Sequence, residues 1–264
     1  MYGNNLQNNI TAGTSSQYLI YSNSTSGNLV NIYNNTVSGN QCSGGGTQTT
    51  LSYIFGIQTI GWGTMSVHDN QVFNNSIPNQ TQYGAAIYGI HGGFSAQNLS
   101  IYNNIIHDLS ISSTATISTS HIIYGIYCSV NSFSNSATNS VYGNTISNLF
   151  VTLSSNYGGY VYGILGGYVN NIYSNIINNI QFTNTLSGYG YGAGISYSNG
   201  GIGHIFKNNI FDVSMEGTAA YFNGIIVNSG DNVNIYNNFI SDLRAPTSTS
   251  LTALSGINIS NPVK

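Results

Sequence analysis

Residues 234–243 read N-I-Y-N-N-F-I-S-D-L, and variants of this decapeptide recur along the whole chain. Seven copies place a β-branched residue before an aromatic: Ile32-Tyr33, Val72-Phe73, Ile101-Tyr102, Val141-Tyr142, Ile172-Tyr173, Ile205-Phe206 and Ile235-Tyr236. Two residues after each aromatic stands an asparagine: Asn35, Asn75, Asn104, Asn144, Asn175, Asn208 and Asn238. Two further on comes an aliphatic: Val37, Ile77, Ile106, Ile146, Ile177, Ile210 and Ile240. A shortened copy opens the chain at Met1-Tyr2-Gly3-Asn4. Self-similarity at this period marks stacked repeat units and outranks any local propensity as evidence of fold.

A second motif alternates with the first. It is an apolar or aromatic pair followed by Gly-Ile: Ile54-Phe55-Gly56-Ile57, Ile87-Tyr88-Gly89-Ile90, Ile123-Tyr124-Gly125-Ile126 and Val161-Tyr162-Gly163-Ile164. Looser copies follow at Gly194-Ile195, Gly224-Ile225 and Gly256-Ile257. Glycine and β-branched residues at this density disfavour helix, and no i, i+3, i+4, i+7 stripe appears. Short strands separated by Asn, Gly and Ser fit instead. Propeller blades need hairpin turns at fixed offsets, whereas Asn199-Gly200 and Asn223-Gly224 share no offset. The pattern therefore predicts an all-β fold, a right-handed parallel β-helix of about 7–8 coils with roughly 30–40 residues per coil. Residues 1–264 form a single solenoid domain in this reading.

Stacking gives the motif its meaning. In a parallel coil each residue sits about 4.8 Å above its counterpart in the coil below. Asparagines at one repeat position then lie over one another, and their amides bond up the column as an internal Asn ladder. The flanking β-branched and aliphatic residues face inward, and Leu109, Leu149, Ile180, Val213 and Leu243 close the core on a third side. Alternation places Tyr33, Phe73, Tyr102, Tyr142, Tyr173, Phe206 and Tyr236 outside. Gly/Ser/Thr-rich insertions at 38–50 and 110–120, and the stretch 245–252, fall in one part of the coil.

Composition narrows the function classes. Charged residues are 3% of the chain, against roughly 25% in an average globular protein. Hydrophobics at 41% and aromatics at 12% exclude a disordered tract. A net charge of −3 with three basic residues offers no footprint for nucleic acid. No apolar run approaches the roughly 20 residues of a membrane span, and no charged region followed by an apolar segment marks a signal peptide. Cys42 and Cys128 lie about three coils apart, roughly 14 Å along the axis. A disulfide needs Cα atoms within about 7 Å, so both are expected as thiols.

Candidate chemistry is sparse. Asp212 and Asp242 share a repeat position in adjacent coils, near the roughly 5 Å separation of a retaining glycosidase pair. Asn79, Asn148 and Asn179 hold that position in other coils, which reads as a turn site. His68, His91, His107, His121 and His204 share no position and make no ligand cluster. The expectation is no catalytic, cofactor or metal site. The outer row Tyr33 through Tyr236 is the candidate glycan-contact face, with neighbouring amides for sugar hydroxyls; the plainer reading is that the rings stiffen the coil.

The combination of Y-G-I and N-I-Y-N-N-x-I-x-x-L segments resembles the right-handed parallel β-helix repeat regions of large secreted Bacteroidota proteins, which are exported by the type IX secretion system. That resemblance implies an extracellular or cell-surface location and a structural role. The chain begins in mid-repeat at Tyr2 and stops after Gly256-Ile257, with a spacing that would carry on into another copy of itself. The sequence reading is thus a non-enzymatic stalk, fibre or adhesin segment whose partners are further coils or itself, head to tail. A carbohydrate-binding module is the alternative, and a glycan-active β-helix enzyme stands third.

Overall fold

The structure, a computed structural model, describes residues 1–12, 16–43, 51–81, 83–93, 98–115, 120–129, 138–198 and 200–260. They contain strands and no helix. Every pairing between strands is parallel, and like segments stack in chain order as a solenoid. Three faces recur. On the first, Ser140–Tyr142 lies between Asn98–Tyr102 and Asn171–Tyr173. On the second, Thr145–Leu153 lies between Ile105–Ser113 and Ile176–Asn184. On the third, Gly159–Gly167 lies between His121–Ser129 and Tyr189–Ser198. The chain visits the faces in that order and then starts the next coil. Two long strands, Ser16–Tyr33 and Ser52–His68, run from the third face onto the first.

The core is built of columns of one residue type. Ile32, Val67, Ile101, Val141, Ile172 and Ile205 are fully buried along the first face. Val37, Val72, Ile106, Ile146, Ile177 and Ile210 do the same along the second. β-Branched side chains suit such columns because one χ1 rotamer dominates and repeats from coil to coil.

In the third coil the sequence reading chose the wrong frame by five residues. Val67, not Val72, pairs with Ile32 and Ile101. Val72 belongs to the next column, opposite Val37 and Ile106, and Ile77 lies opposite Ile111 instead. Phe73 therefore lies opposite His107, and Asn75 opposite Leu109. The cause is local mimicry. The true motif reads Val67-His68-Asp69-Asn70, with histidine in the aromatic place, while Val72-Phe73-Asn74-Asn75 imitates it.

Two bends shape each coil. The residue before each true motif asparagine is left-handed: Gly3, Asn34, Asp69, Asn103, Gly143, Ser174, Lys207 and Asn237 have φ from 54° to 66°. Five residues later the chain turns again at Asn8, Gly39, Asn74, Asp108, Asn148, Asn179, Asp212 and Asp242, with φ from 48° to 66°. Asn, Asp and Gly tolerate this region better than other residues. Asp212 and Asp242 thus occupy a turn column, whose member in the third coil is Asn74 rather than Asn79. Directly after the second bend come Leu109, Leu149, Ile180 and Val213, all fully buried.

The Gly-Ile motif is a packing requirement. A Cβ on Gly56, Gly89, Gly125, Gly163, Gly194 or Gly224 would fall 2.5–2.7 Å from the carbonyl oxygen of the next glycine up the column. Later coils admit large rings by the same device. Phe182, Phe222 and Tyr197 are fully buried, and a Cβ on Gly190, Gly192 or Gly203 would lie 2.2–2.5 Å from those side chains. Gly125→Ala places its methyl 2.6 Å from both the Gly163 oxygen and Ile146 Cγ2. It is expected to lose about 1–3 kcal/mol in urea unfolding. Gly201→Ala, with its nearest neighbour 3.8 Å away, should stay within about 0.5 kcal/mol of the parent. Equal stability of the two would contradict this packing.

Candidate functional site: the amide ladder and the ring column

Just inside the first bend, Asn4, Asn35, Asn70, Asn104, Asn144, Asn175, Asn208 and Asn238 form one continuous ladder. At each step the Nδ2 of one asparagine donates to the Oδ1 of the next, at 2.9–3.0 Å. The backbone N–H of the same residue donates to that oxygen as well, at 3.0–3.1 Å. Asn104 also has Val67 O at 2.9 Å and Tyr102 O at 3.0 Å from its Nδ2. Asn70, Asn104, Asn144, Asn175 and Asn208 are 0% exposed. A buried amide is stable only when all its groups are paired, and here the next coil supplies the pairing. Asn75 is not a rung of this ladder. It ends a second, shorter one, in which Asn9 donates to Asn40 and Asn40 to Asn75, both at 2.8 Å. Leu109 takes over that column.

On the outside of the first face runs a column of rings: Tyr2, Tyr33, His68, Tyr102, Tyr142, Tyr173, Phe206 and Tyr236. Successive centroids are 4.6–5.1 Å apart and the planes lie within 2–12° of parallel. Phe73 is absent from it and stacks on His107 at 4.9 Å on the second face. The geometry bears on sugar binding. A sugar packs on the face of an aromatic ring, and in this column each interior ring has a neighbour on both faces. Edges and hydroxyls are what the column offers to solvent. It stiffens the coil, with stacked pairs worth about 0.5–1.5 kcal/mol each.

A second aromatic column escaped the sequence reading, although the residue before each Gly-Ile carried its signal. Tyr18, Phe55, Tyr88, Tyr124 and Tyr162 stack at 4.6–5.3 Å on the outside of the third face. Burial pushes the hydroxyls of Tyr88, Tyr124 and Tyr162 well above the usual tyrosine range.

The titratable groups are spread along the coils. His68 bonds Asp69 at 2.7 Å and the Asn31 side chain at 2.9 Å, and His107 bonds Asp108 at 2.6 Å. Arg244 lies against both Asp212, at 2.5 Å, and Asp242, at 3.5 Å. That ion pairing occupies the two carboxylates at the position where a glycosidase pair was conceivable. His91 is buried with its Nδ1 2.8 Å from Gln58 Nε2, and His121 is fully buried at the start of its strand. Cys42 and Cys128 are buried thiols on different faces, and burial pushes the Cys128 thiol up to about 12. Among the described residues no three His, Cys, Asp or Glu side chains gather as a metal site.

No family model, curated protein or solved structure matches the chain.

Removing one rung tests the ladder. Asn104→Ala leaves the buried Asn70 backbone N–H without its acceptor and takes one of three acceptors from the Asn70 Nδ2, which keeps Ile32 O and His68 O. Unfolding should become easier by about 2–3 kcal/mol, at roughly 1–3 kcal/mol for an orphaned group plus a lost hydrogen bond. Asn103→Ala, at the exposed left-handed position beside it, should cost about 1 kcal/mol. A reversed order would contradict the ladder. The buried histidines set the pH response. Burial lowers His91 and His121 from 6.5 to about 4. Between those values the unfolded chain binds protons that the folded chain refuses. Stability present above pH 6.5 is therefore lost progressively as pH falls through 4. Tm should drop over that window, and drop less in His121→Leu; a flat profile would contradict the assignment.

Proposed function

We propose that this chain is a non-enzymatic structural segment of an extracellular or cell-surface protein, a rigid rod of the stalk, fibre or adhesin kind. Its end coils stack on further coils, contributed by a longer chain or by a second copy placed head to tail. What carries the reading is the repetition of one interface at every axial step: amide ladder, ring column and aliphatic columns together. Such an arrangement concentrates hydrogen bonding and burial along a single axis, as a load-bearing element requires. The outermost coils support it further. Tyr2 is 68% exposed at one end, and Tyr236 and Ile257 are 44% and 50% exposed at the other. In column order a further coil would set Tyr2 over Tyr236, Asn4 over Asn238 and Ile20 over Ile257. One column does not match, because Asn9 would meet Leu243. Location rests on the resemblance of the repeat to secreted β-helix regions.

Sedimentation across a concentration series, with electron micrographs of the same samples, tests the self-stacking arm. Rods of constant width whose length grows in multiples of ~38 Å are expected, from eight axial steps of about 4.8 Å per copy. Particles one chain long at every concentration would overturn head-to-tail assembly, and turnover of any glycan by the purified chain would overturn the non-enzymatic reading.

A further inference from the structure

A second polar feature lies inside the coil, at the corner where the second face passes into the third. Six buried side-chain atoms there have no hydrogen-bond partner: Oε1 of Gln17, Oγ of Ser52, both amide atoms of Gln80 and both ring nitrogens of His121. The other two such atoms among the described residues, Thr59 Oγ1 and the Tyr197 hydroxyl, stand elsewhere. The six are therefore concentrated rather than scattered. Register shows how they line up. Ser52 pairs with Ala85, and Ala86 with Ile122, so Ser52, Ala85 and His121 fall in one column. Ala85, the smallest of the three side chains and itself buried, stands between the hydroxyl below and the imidazole above. Gln80, fully buried, ends the second-face strand of that same middle coil, across the corner from Ala85. Gln17 stands in the coil below, opposite Ile54 and two residues along the strand from the Ser52 column. There its Nε2 donates to Thr11 Oγ1 at 2.9 Å and Gln41 O at 2.8 Å.

The seam has a definite upper end. The column continues as Gly159 and Gly190, and there the ring of Phe182 fills the corner. A Cβ on those glycines would lie 2.9 Å and 2.2 Å from its carbons. Above His121 the Ser52 column is glycine beside the Phe182 ring. The buried polar side chains of those coils at this corner, Ser155 and Asn184, are bonded to protein atoms: Ser155 Oγ donates to Ala115 O at 2.8 Å and Asn184 Nδ2 to Tyr157 O at 3.1 Å.

Buried polar atoms in folded proteins are paired with protein or with ordered water in all but a few cases. The atoms here mix donors and acceptors. The Gln80 amide supplies both, the Ser52 hydroxyl is both, and His121 as a neutral imidazole has one of each. A cation would satisfy acceptors alone, an anion donors alone, and an apolar guest neither. Water donates two bonds and accepts two, and it occupies sites with two to four polar partners. We infer that this corner is an internal hydration site, in which ordered water molecules bridge Ser52, Gln80 and His121 and stop at Phe182.

Oxygen-17 magnetic relaxation dispersion at pH 7 counts internal waters with long residence times. The parent chain should show a clear dispersion, and the double variant Gln80→Met, His121→Leu should lose at least half of its amplitude while keeping the β circular dichroism spectrum. No dispersion in the parent, or an unchanged one in the folded variant, would overturn the inference. Should the variant fail to fold, a crystal structure of the parent decides. Density peaks about 2.7–3.2 Å from the Gln80 amide and the His121 nitrogens are expected; side chains turned to bond protein atoms directly would overturn it.

Discussion

The structure depends on the match between an asparagine side chain and the rise of a parallel coil. The carboxamide carries an acceptor and a donor, and strands repeat at about 4.8 Å. One amide can therefore accept from the coil below and donate to the coil above. The Oδ1 of Asn104 takes two bonds from Asn70 while its Nδ2 reaches Asn144. This lets a chain with 3% charged residues bury polar groups at every coil without ion pairs. It also locks register. A slip of one residue would turn every core column outward and unpair every rung.

The ladder is reinforced by what stands on either side of it. The left-handed residue before each rung turns the chain so that the asparagine enters the coil while the ring two residues earlier stays outside. The second left-handed residue, always five later, bends the chain again and presents Leu109, Leu149, Ile180 and Val213 to the core. This part of the coil has constant length in all eight copies. Spacing between successive rungs still varies from 30 to 40 residues, and the variation falls to the other two corners. One side of the solenoid is thus rigid and invariant, and the remaining corners carry the insertions. Of the insertions read from the sequence, 44–50 and 116–119 lie outside the described residues.

Most of the architecture was legible because like sits over like, so each column repeats a residue type at a fixed place. The parallel coil, the outer rings and six of the seven motif asparagines follow from that rule. It failed where two columns resemble each other. In the third coil His68 replaces the expected aromatic, and Val72-Phe73-Asn74-Asn75 offers a better copy five residues on. Sequence cannot separate these frames, since both columns hold a β-branched residue and an asparagine there; only pairing with Ile32 and Ile101 does. Size compensation was invisible for another reason. Phe182 and Gly190 meet across a corner from different faces, a contact without periodicity. The polar corner of Ser52, Gln80 and His121 was hidden likewise, because three residue types in three coils form no repeat.

Hydrogen exchange of the asparagine side-chain amides tests the central claim most directly, because each Nδ2 group gives its own nitrogen-resolved signal. If the coils are joined by the ladder, the Nδ2 protons of Asn70, Asn104, Asn144, Asn175 and Asn208 exchange orders of magnitude more slowly than those of exposed Asn34 and Asn103. Uniformly fast exchange across all asparagines would mean that the amides face water and that something else holds the coils in register.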